Sequence, residues 1–342
     1  MTAIHPDLLA VSDAVEVVSP TRYVFRGEAR EAAPGGEQPD GANAPLLTAL
    51  ENELYFRLYI RPVAGPAAPA APLAERDHLA ALSAANNGRG TWEPGWTVGA
   101  LDEDGRLAVT KDGLTFWARP EDVRVHGGVP RAGEFCRVRV GKELRHLMPG
   151  YYVAIGNGDE RDPRDDPEPL VRLYWHLSAP AAVSFVAEVT ATLNTLDVPF
   201  RAKALSDPGA YRRADAGIIY LGRRHYRRLA DAVAALHERL AAGLRPTTPL
   251  FTWPLAPGLG FAEDPGNGMS FGQHRCRLLA HGLWLSFVQG DRTAGARAAT
   301  LAATFRNAGL DPEAPHLEPG SPIHHILRSR GEPAADHEGE RP

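Results

Sequence analysis

Basic side chains gather on two short segments near the middle of the chain. His176 ends the apolar run VRLYWHL, and Lys203 lies in PFRAKAL, 27 residues later. Arg201 and Lys203 are two residues apart, so on a β-strand both side chains point to the same face. The chain has only three lysines, at 111, 142 and 203, and placing one beside an arginine on a single face needs a reason.

More arginines follow in a chain whose net charge is −5. They lie beside tyrosines or after a glycine-rich segment, at Arg212, Arg213, Arg223, Arg224, Arg275 and Arg277. Arginine is suited to bidentate contacts with phosphate, and no Asp/Glu cluster here has the spacing of metal ligands. The pattern favours an anion site without a metal. A solvated basic face explains the same spacing, and His176 beside Trp175 would then be a packed core histidine.

The segments that must position these residues read as strand, helix and strand. The apolar spacing in 181–194 predicts a helix, with Ser178 as its cap. A further strand, AGIIYLG, and an amphipathic helix ending near Gly243 follow. The next 24 residues, PLFTWPLAPGLGFAEDPGNGMSFG, are predicted to form a long loop, which in compact domains is usually functional or disordered. Two helices come after it, the first capped by Ser270 or Gln273, and Glu263 and Asp264 can pair with the arginines.

The first half of the chain has a different pattern. It predicts a short helix and a strand, a helix over 45–60, a third helix ending before Gly88, and hairpins at the Asp-Gly turns 104–105 and 112–113. The charged segment 156–169 is predicted to be a loop that loosely separates the two halves of the chain, without being a proven domain boundary. The expected fold is α+β, with an N-terminal helical and β-hairpin region, 1–150, packed on a mixed α/β domain, 151–330. A polar tail, 331–342, is expected to be disordered.

Composition excludes several classes of protein. The acidic balance argues against a dedicated nucleic-acid binder. No apolar run approaches the roughly 18–20 residues that a membrane span needs. The N-terminus lacks the basic start of a secretion signal. Cys136 and Cys276 are too few and too far apart for a metal motif or a disulfide framework. These features predict a cytoplasmic protein with two reduced thiols.

The segments YWHL, VPFRAKALSDPGAYRRADAGIIYL and PLFTWPLAPGLGFAEDPGNGMSFGQHRCRLLA resemble the HopA-type effector family. The resemblance covers roughly residues 150–310. Relatives of that family act as lyases in class V lanthipeptide and thioamitide biosynthesis. More remotely, His176 and Lys203 resemble the acid and base of bacterial phosphothreonine lyases and of the lyase domains of class III/IV lanthipeptide synthetases. The resemblance therefore implies a phosphothreonine-lyase-like domain at 151–330.

The activity implied is a carbon–oxygen lyase that eliminates phosphate from a phosphothreonyl or phosphoseryl residue, giving dehydrobutyrine or dehydroalanine, with no cofactor and no metal. The roles implied are Lys203 as base, His176 as acid, Tyr226 as a hydroxyl near the reacting carbon, and Arg201, Arg213 and Arg275 as phosphate ligands. The relatives also carry a basic residue two before the histidine. Here that residue is Tyr174, and Arg172 is the basic side chain that can replace it.

The implied partners are a phosphorylated precursor peptide and a separate aminoglycoside-phosphotransferase-like kinase, because this chain has no kinase motif. No nucleic acid and no membrane are expected as partners. The alternative is a non-catalytic peptide- or protein-binding adaptor of the same fold. In either case the first 150 residues are expected to serve peptide recognition.

Overall fold

The computed structural model describes residues 4–32, 44–63, 75–145, 148–158 and 169–323. They form an α+β fold with three antiparallel sheets. The strands are β1 (Val15–Ser19), β2 (Arg22–Phe25), β3 (Glu28–Glu31), β4 (Thr91–Leu101), β5 (Leu107–Lys111), β6 (Leu114–Ala118), β7 (Val123–Val125), β8 (Phe135–Val140), β9 (Glu143–Leu144), β10 (Tyr151–Ile155), β11 (Leu170–Trp175), β12 (Phe200–Leu205), β13 (Gly217–Gly222), β14 (Trp253–Ala256) and β15 (Leu259–Glu263).

Helices cover both sides of the largest sheet. The α-helices are α1 (Pro6–Ala14), α2 (Ala44–Leu54), α3 (Glu75–Ala85), α4 (Ala181–Thr195), α5 (Arg223–Tyr226), α6 (Ala230–Leu240), α7 (Phe271–Gln289) and α8 (Ala294–Asn307). A π-helical turn, Tyr55–Tyr59, continues α2. Short 3-10 turns lie at Pro120–Asp122, Pro208–Ala210, Arg227–Leu229 and Ala241–Gly243.

The seven-stranded sheet has the order β14-β15-β11-β13-β12-β10-β9, with antiparallel pairing throughout. Strands β11 and β12 therefore run in the same direction with β13 between them, and α4 makes the crossover that the sequence predicts. One face of the sheet packs on α4 and α6, where Trp175 and Phe185 are fully buried. The other face packs on α2, α7 and α8, where Tyr174 meets Leu50 and Leu279 in a second core.

The smaller sheets lie in the first half of the chain. Strands β1, β2 and β3 form a three-stranded sheet, and the five-stranded sheet has the order β6-β5-β4-β8-β7. Its two predicted hairpins are confirmed. At the turn between β5 and β6, Asp112 and Gly113 both have positive φ, at 50° and 77°, the geometry that an Asp-Gly hairpin turn requires.

Two local predictions change in the structure, and a third is confirmed. The long loop contains the hairpin of β14 and β15, and β15 is buried beside β11; Gly258, with φ of 75°, turns the chain there. Ser178 does not cap α4, because its hydroxyl donates to the carbonyl of Gly243 at 2.9 Å. The capping prediction for α7 is confirmed, since Ser270 and Gln273 form a reciprocal capping box.

The structure describes the predicted boundary, only part of the loop predicted to separate the two halves, and none of the predicted tail. The boundary between 150 and 151 falls between β9 and β10, which pair with each other, so the two predicted regions share a sheet. Part of the charged segment 156–169 and the whole tail 331–342 lie outside the described residues. Both cysteines are buried free thiols, as predicted.

Candidate functional site

Strand register brings the predicted base and its arginine partner onto one face of the large sheet. Lys203 on β12 pairs with Ile218 on β13, which pairs with Tyr174 on β11. Paired residues of an antiparallel sheet point to the same side, so Lys203 faces the same way as Tyr174. Strands β11 and β13 are almost continuously apolar, which is typical of strands that are buried on both faces of a sheet.

The next row of the same face is basic. Arg201 pairs with Tyr220, which pairs with Arg172. Arg172 therefore lies on the face that carries Lys203, where the sequence suggests it as a replacement for the missing basic residue at position 174. The guanidinium of Arg172 lies 5.1 Å from the ring centroid of Tyr220. Arg201, Arg172 and Lys203 form one cationic group on a single surface.

The amine of Lys203 lies among aromatic rings. Its Nζ is 4.4 Å from the ring centroid of Tyr151 and 5.5 Å from that of Tyr220, and 3.7 Å from Sδ of Met148. Lys203 is only 9% exposed. None of the ion pairs found among the described residues involves it. The aromatic faces attract the cation, whereas burial without a counter-carboxylate opposes it.

His176 is the first residue after β11 and is held at fixed orientation. Its backbone N–H donates to Gly258 O, and its carbonyl accepts from Arg245 N, each at 2.9 Å. Nδ1 lies 3.0 Å from the carbonyl oxygen of Thr247 and 2.9 Å from its hydroxyl. Because a carbonyl only accepts, Nδ1 carries the hydrogen. Nε2 is then the atom that can gain or lose a proton, and it is buried without a hydrogen-bond partner among the residues that the structure describes.

Burial lowers the pKa of His176 below its ordinary value. The Thr247 carbonyl and the charge of Asp215 oppose this change, and the charge of Arg245 adds to it. The neutral imidazole is therefore favoured in the free protein. A bound anion would favour the imidazolium form, because a nearby negative charge stabilises it.

His176 and Lys203 lie on the same face, two strands apart. His176 is two residues beyond Tyr174, which shares a row with Lys203. With strand spacing near 4.8 Å and a rise near 3.4 Å per residue, their Cα atoms are about 12 Å apart. A lysine side chain, a phosphoester and an imidazole can together fill such a distance.

The arginines of this face already have acidic partners. Nε and Nη2 of Arg213 donate to the two oxygens of Asp215 at 2.5 and 2.7 Å. Arg201 donates to Glu93 at 2.7 Å, and Arg172 donates to Asp264 at 2.7 Å. Any bound anion must share these arginines with carboxylates.

A family model described as the HopA1 effector protein family matches residues 144–317, just over half of the chain. The chain belongs to the HopA1 effector protein family. The resemblance seen in the sequence is thereby confirmed, while the link to lanthipeptide lyases stays a prediction. The matched range contains His176, Lys203 and Arg213 and leaves the segment 55–63 outside.

Two solved structures are similar to this HopA1 family member. The effector protein from Pseudomonas syringae pv. tomato strain DC3000 is 15% identical, with a TM-score of 0.43, over 80% of this chain and 95% of that one. The effector protein from Pseudomonas syringae pv. syringae strain 61 is also 15% identical, with a TM-score of 0.45, over 78% of this chain and 88% of the other. The search of curated proteins gave no match.

Two predicted site residues of this HopA1 family member lie elsewhere. Tyr226 stacks on Phe261, with ring centroids 4.6 Å apart, in the core on the opposite side of the sheet from Lys203. Burial raises the pKa of its hydroxyl. The structure therefore does not bring Tyr226 to the reacting carbon, and the role assigned to it is corrected.

Arg275 is completely buried and binds the segment that follows α8. Its guanidinium donates to the carbonyls of Pro315 at 2.8 Å and Leu317 at 3.2 Å, and to the carboxylate of Glu318 at 2.8 Å. With these partners it fixes the segment 315–318 rather than presenting a free guanidinium. The assignment of Arg275 as a phosphate ligand is also corrected.

Several residues of the site escaped the sequence analysis. Tyr55 in the π-helical turn donates to Asp215 at 3.3 Å and accepts from Arg213 at 3.1 Å. The backbone after the turn is tied to the same segment, because Ala214 N donates to Ile60 O at 2.7 Å. A π-helical turn inside a helix often marks a functional site, but no local sequence signal reveals it here. The N-terminal region thus completes the site.

Neither a metal nor a membrane span is indicated in the part of the chain that the structure describes. No group of three or more His, Cys, Asp or Glu residues there has the arrangement of a metal site. None of the described helices combines the length and apolar character needed to cross a bilayer.

Proposed function

We propose that this HopA1 family member is a phosphothreonine/phosphoserine lyase. The observation that carries the proposal is a buried lysine amine without a carboxylate partner among the described residues, on the sheet face that also carries His176 and two arginines. A lysine amine that no carboxylate holds is available to contact a bound substrate, and lysine is one of the side chains that act as general bases. The arrangement supports proton abstraction next to a leaving phosphate.

In the proposed reaction Nζ of Lys203 takes the Cα proton of the phosphorylated residue. The electron pair of that C–H bond becomes the Cα–Cβ double bond, and the Cβ–O bond breaks. Nε2–H of His176 protonates the departing bridging oxygen, and the arginines stabilise the charge that grows on phosphate. Lys203 then returns its proton to solvent, and Nε2 of His176 takes up a proton from solvent, so that both side chains regain their starting states. The products are inorganic phosphate and a dehydroamino acid.

The substrate class follows from the family resemblance. It is a phosphorylated ribosomal precursor peptide on the route to a lanthipeptide or thioamitide. A separate kinase of the aminoglycoside-phosphotransferase type would supply the phosphate ester.

A second candidate, a non-catalytic peptide-binding adaptor, is favoured by one observation. Both arginines of the sheet face, Arg201 and Arg172, are paired with carboxylates. The predicted ligand Arg213, which lies before β13, holds Asp215 with both arms of its guanidinium. Such pairs are typical of structural ion pairs as well as of pre-arranged ligands.

The test is incubation of the protein with a synthetic phosphothreonine peptide in a chelating buffer without nucleotide, followed by mass spectrometry. A lyase gives a peptide lighter by one phosphoric acid that adds a thiol at its new double bond. Lys203→Ala should lower the rate by about 10²–10⁴-fold, the usual contribution of a general base. Tight binding of an unchanged peptide would support the adaptor and overturn the lyase, and release of phosphate with threonine as product would indicate a phosphatase.

A further inference from the structure

A cleft of about 650 Å³ opens beside His176. Its walls come from α1, from the segment that contains Arg57 and Arg61, and from the loop of Arg245 and Thr247. The first two walls lie outside the residues that match the family model. The cleft therefore joins the N-terminal region to the residue proposed as the acid.

The lining of this cleft is rich in positive charge. Among the described residues that line it are four arginines, Arg26, Arg57, Arg61 and Arg245, and one acidic residue, Asp13. Arg61 is neutralised in part by Asp7, 2.7 Å away.

Two of these arginines have free capacity. Arg245 uses Nη1 for the carbonyl of Tyr211 at 2.6 Å. Arg57 is exposed and takes part in none of the ion pairs found among the described residues. The cleft thus carries guanidinium groups that are not committed to carboxylates, unlike those of the sheet face.

His176 adds an independent sign of a ligand. Only 1% of the residue is exposed, and its Nε2 has no hydrogen-bond partner within the described part of the chain. A buried polar atom without a partner costs about 1–3 kcal/mol, so its persistence calls for a group that binds it. A phosphate oxygen, protonated or not, can pair with this nitrogen in either of its protonation states.

We propose that the cleft holds the phosphoryl group of the substrate, with Arg57 and Arg245 as its charged ligands and His176 as its buried contact. The proposal rests on the lyase function and changes its ligand set. Phosphate is held mainly by side chains of the cleft, and two of the sequence-predicted ligands, Arg213 and Arg275, serve the protein framework. Arg57 makes the N-terminal region a direct contributor to substrate binding.

Inorganic phosphate is the probe that tests the cleft without requiring turnover. In the protein labelled at histidine Cε1, added phosphate should shift the His176 resonance in a saturable way. Arg57→Gln and Arg245→Gln should each weaken phosphate binding by about tenfold or more, because each removes a charge-assisted hydrogen bond. Arg277→Gln, which removes an exposed arginine of α7, is the matched control and should bind phosphate as the wild type does.

The outcomes separate the two proposals. Arg57 is exposed, so Arg57→Gln folds as the wild type and decides the matter even if Arg245→Gln is unstable. The cleft assignment would be overturned if Arg57→Gln bound phosphate as tightly as the wild type, or if phosphate did not shift the His176 resonance. This holds even if the protein eliminates phosphate from a peptide. A third outcome would uphold the cleft and reject the lyase. In it, Arg57→Gln loses phosphate binding, Lys203→Ala retains it, and the wild type eliminates no phosphate from the peptide. The same titration with a phosphothreonine peptide should show tighter binding than inorganic phosphate if the cleft receives the esterified group.

Discussion

His176 is the residue whose charge state the surroundings govern most directly. Burial lowers its pKa, with Arg245 acting in the same sense and Asp215 in the opposite sense. In the free protein the imidazolium needed for acid catalysis therefore forms only below the ordinary histidine value of about 6.5. A bound phosphate dianion favours imidazolium, so the acid form extends to higher pH in the complex.

We therefore predict that the high-pH limb of kcat/KM, on which the rate falls as His176 of the free protein loses its proton, lies at lower pH than the corresponding limb of kcat. The measurement is the pH dependence of phosphate release from a phosphothreonine peptide. The ionisation of the substrate phosphate is determined separately by phosphorus NMR. His176→Gln should remove the limb of kcat, and coincident limbs in the wild type would contradict the expected effect of bound phosphate.

His274 is a second residue whose pKa predicts an effect of pH, here on the free energy of unfolding. Burial, followed by the charges of Arg275 and Arg277, lowers its pKa to about 4. The unfolded chain then binds more protons than the folded one between pH about 6.5 and about 4, so the free energy of unfolding falls as the pH falls through that window. His274→Gln should make this loss shallower, measured as the urea midpoint at several pH values. An identical slope in wild type and variant would show that His274 does not titrate in this way.

At the scale of elements, the β14–β15 turn and the loop at 245–247 fix the position of His176. Gly258 accepts from the His176 N–H through its carbonyl, and its own N–H donates to Pro246 O at 2.9 Å. A Cβ at Gly258 would lie 2.3 Å from Arg245 O, and the φ of 75° disfavours any other residue.

We predict that Gly258→Ala lowers the free energy of unfolding by about 2 kcal/mol or more, from the combined cost of strained backbone and displaced main chain. Gly266→Ala is the control, because Gly266 also has positive φ but open space around its Cβ position. It should cost only about 1 kcal/mol. Equal losses in urea unfolding would mean that the contact with the Arg245 carbonyl is not a constraint.

Elements that depend on local pattern were predictable from the sequence. The period-two alternation puts Arg201 and Lys203 on one face, and apolar spacing gives α4, so the strand–helix–strand unit follows directly. The positions of Tyr226 and Arg275 were not, because they depend on which side of the sheet α5 and α7 pack. Arg57 and the partner of Arg201, Glu93, were missed because their contacts join residues far apart in the chain. The hairpin of β14 and β15 was hidden by proline and glycine, which usually mark loops.

At the scale of the whole molecule, the N-terminal helices are part of the same core as the family-matched region. Leu50 in α2 is fully buried among residues of α7 and α8. The turn that follows α2 is hydrogen-bonded to the segment of Arg213 and Asp215. Residues 4–32 and 44–63 therefore support the site physically, which agrees with a shared fold rather than an appended module.

This arrangement predicts that Leu50→Ala costs about 2–5 kcal/mol, as for other buried leucines. It should shift one cooperative urea transition, seen alike by tryptophan fluorescence and by circular dichroism. Leu101→Ala, at a side chain that is 61% exposed, is the control and should change stability by no more than about 0.5 kcal/mol. Two separated transitions, with only one moved by Leu50→Ala, would show that the N-terminal region folds independently.

The central claim is that the amine of Lys203 removes a Cα proton while phosphate leaves. The most direct measurement is single-turnover phosphate release from two phosphothreonine peptides that differ only in carrying hydrogen or deuterium at Cα. We expect slower release from the deuterated peptide, a dehydrobutyrine product, and loss of both in Lys203→Ala. Equal release from the two peptides with threonine as product, or full elimination by Lys203→Ala, would contradict it.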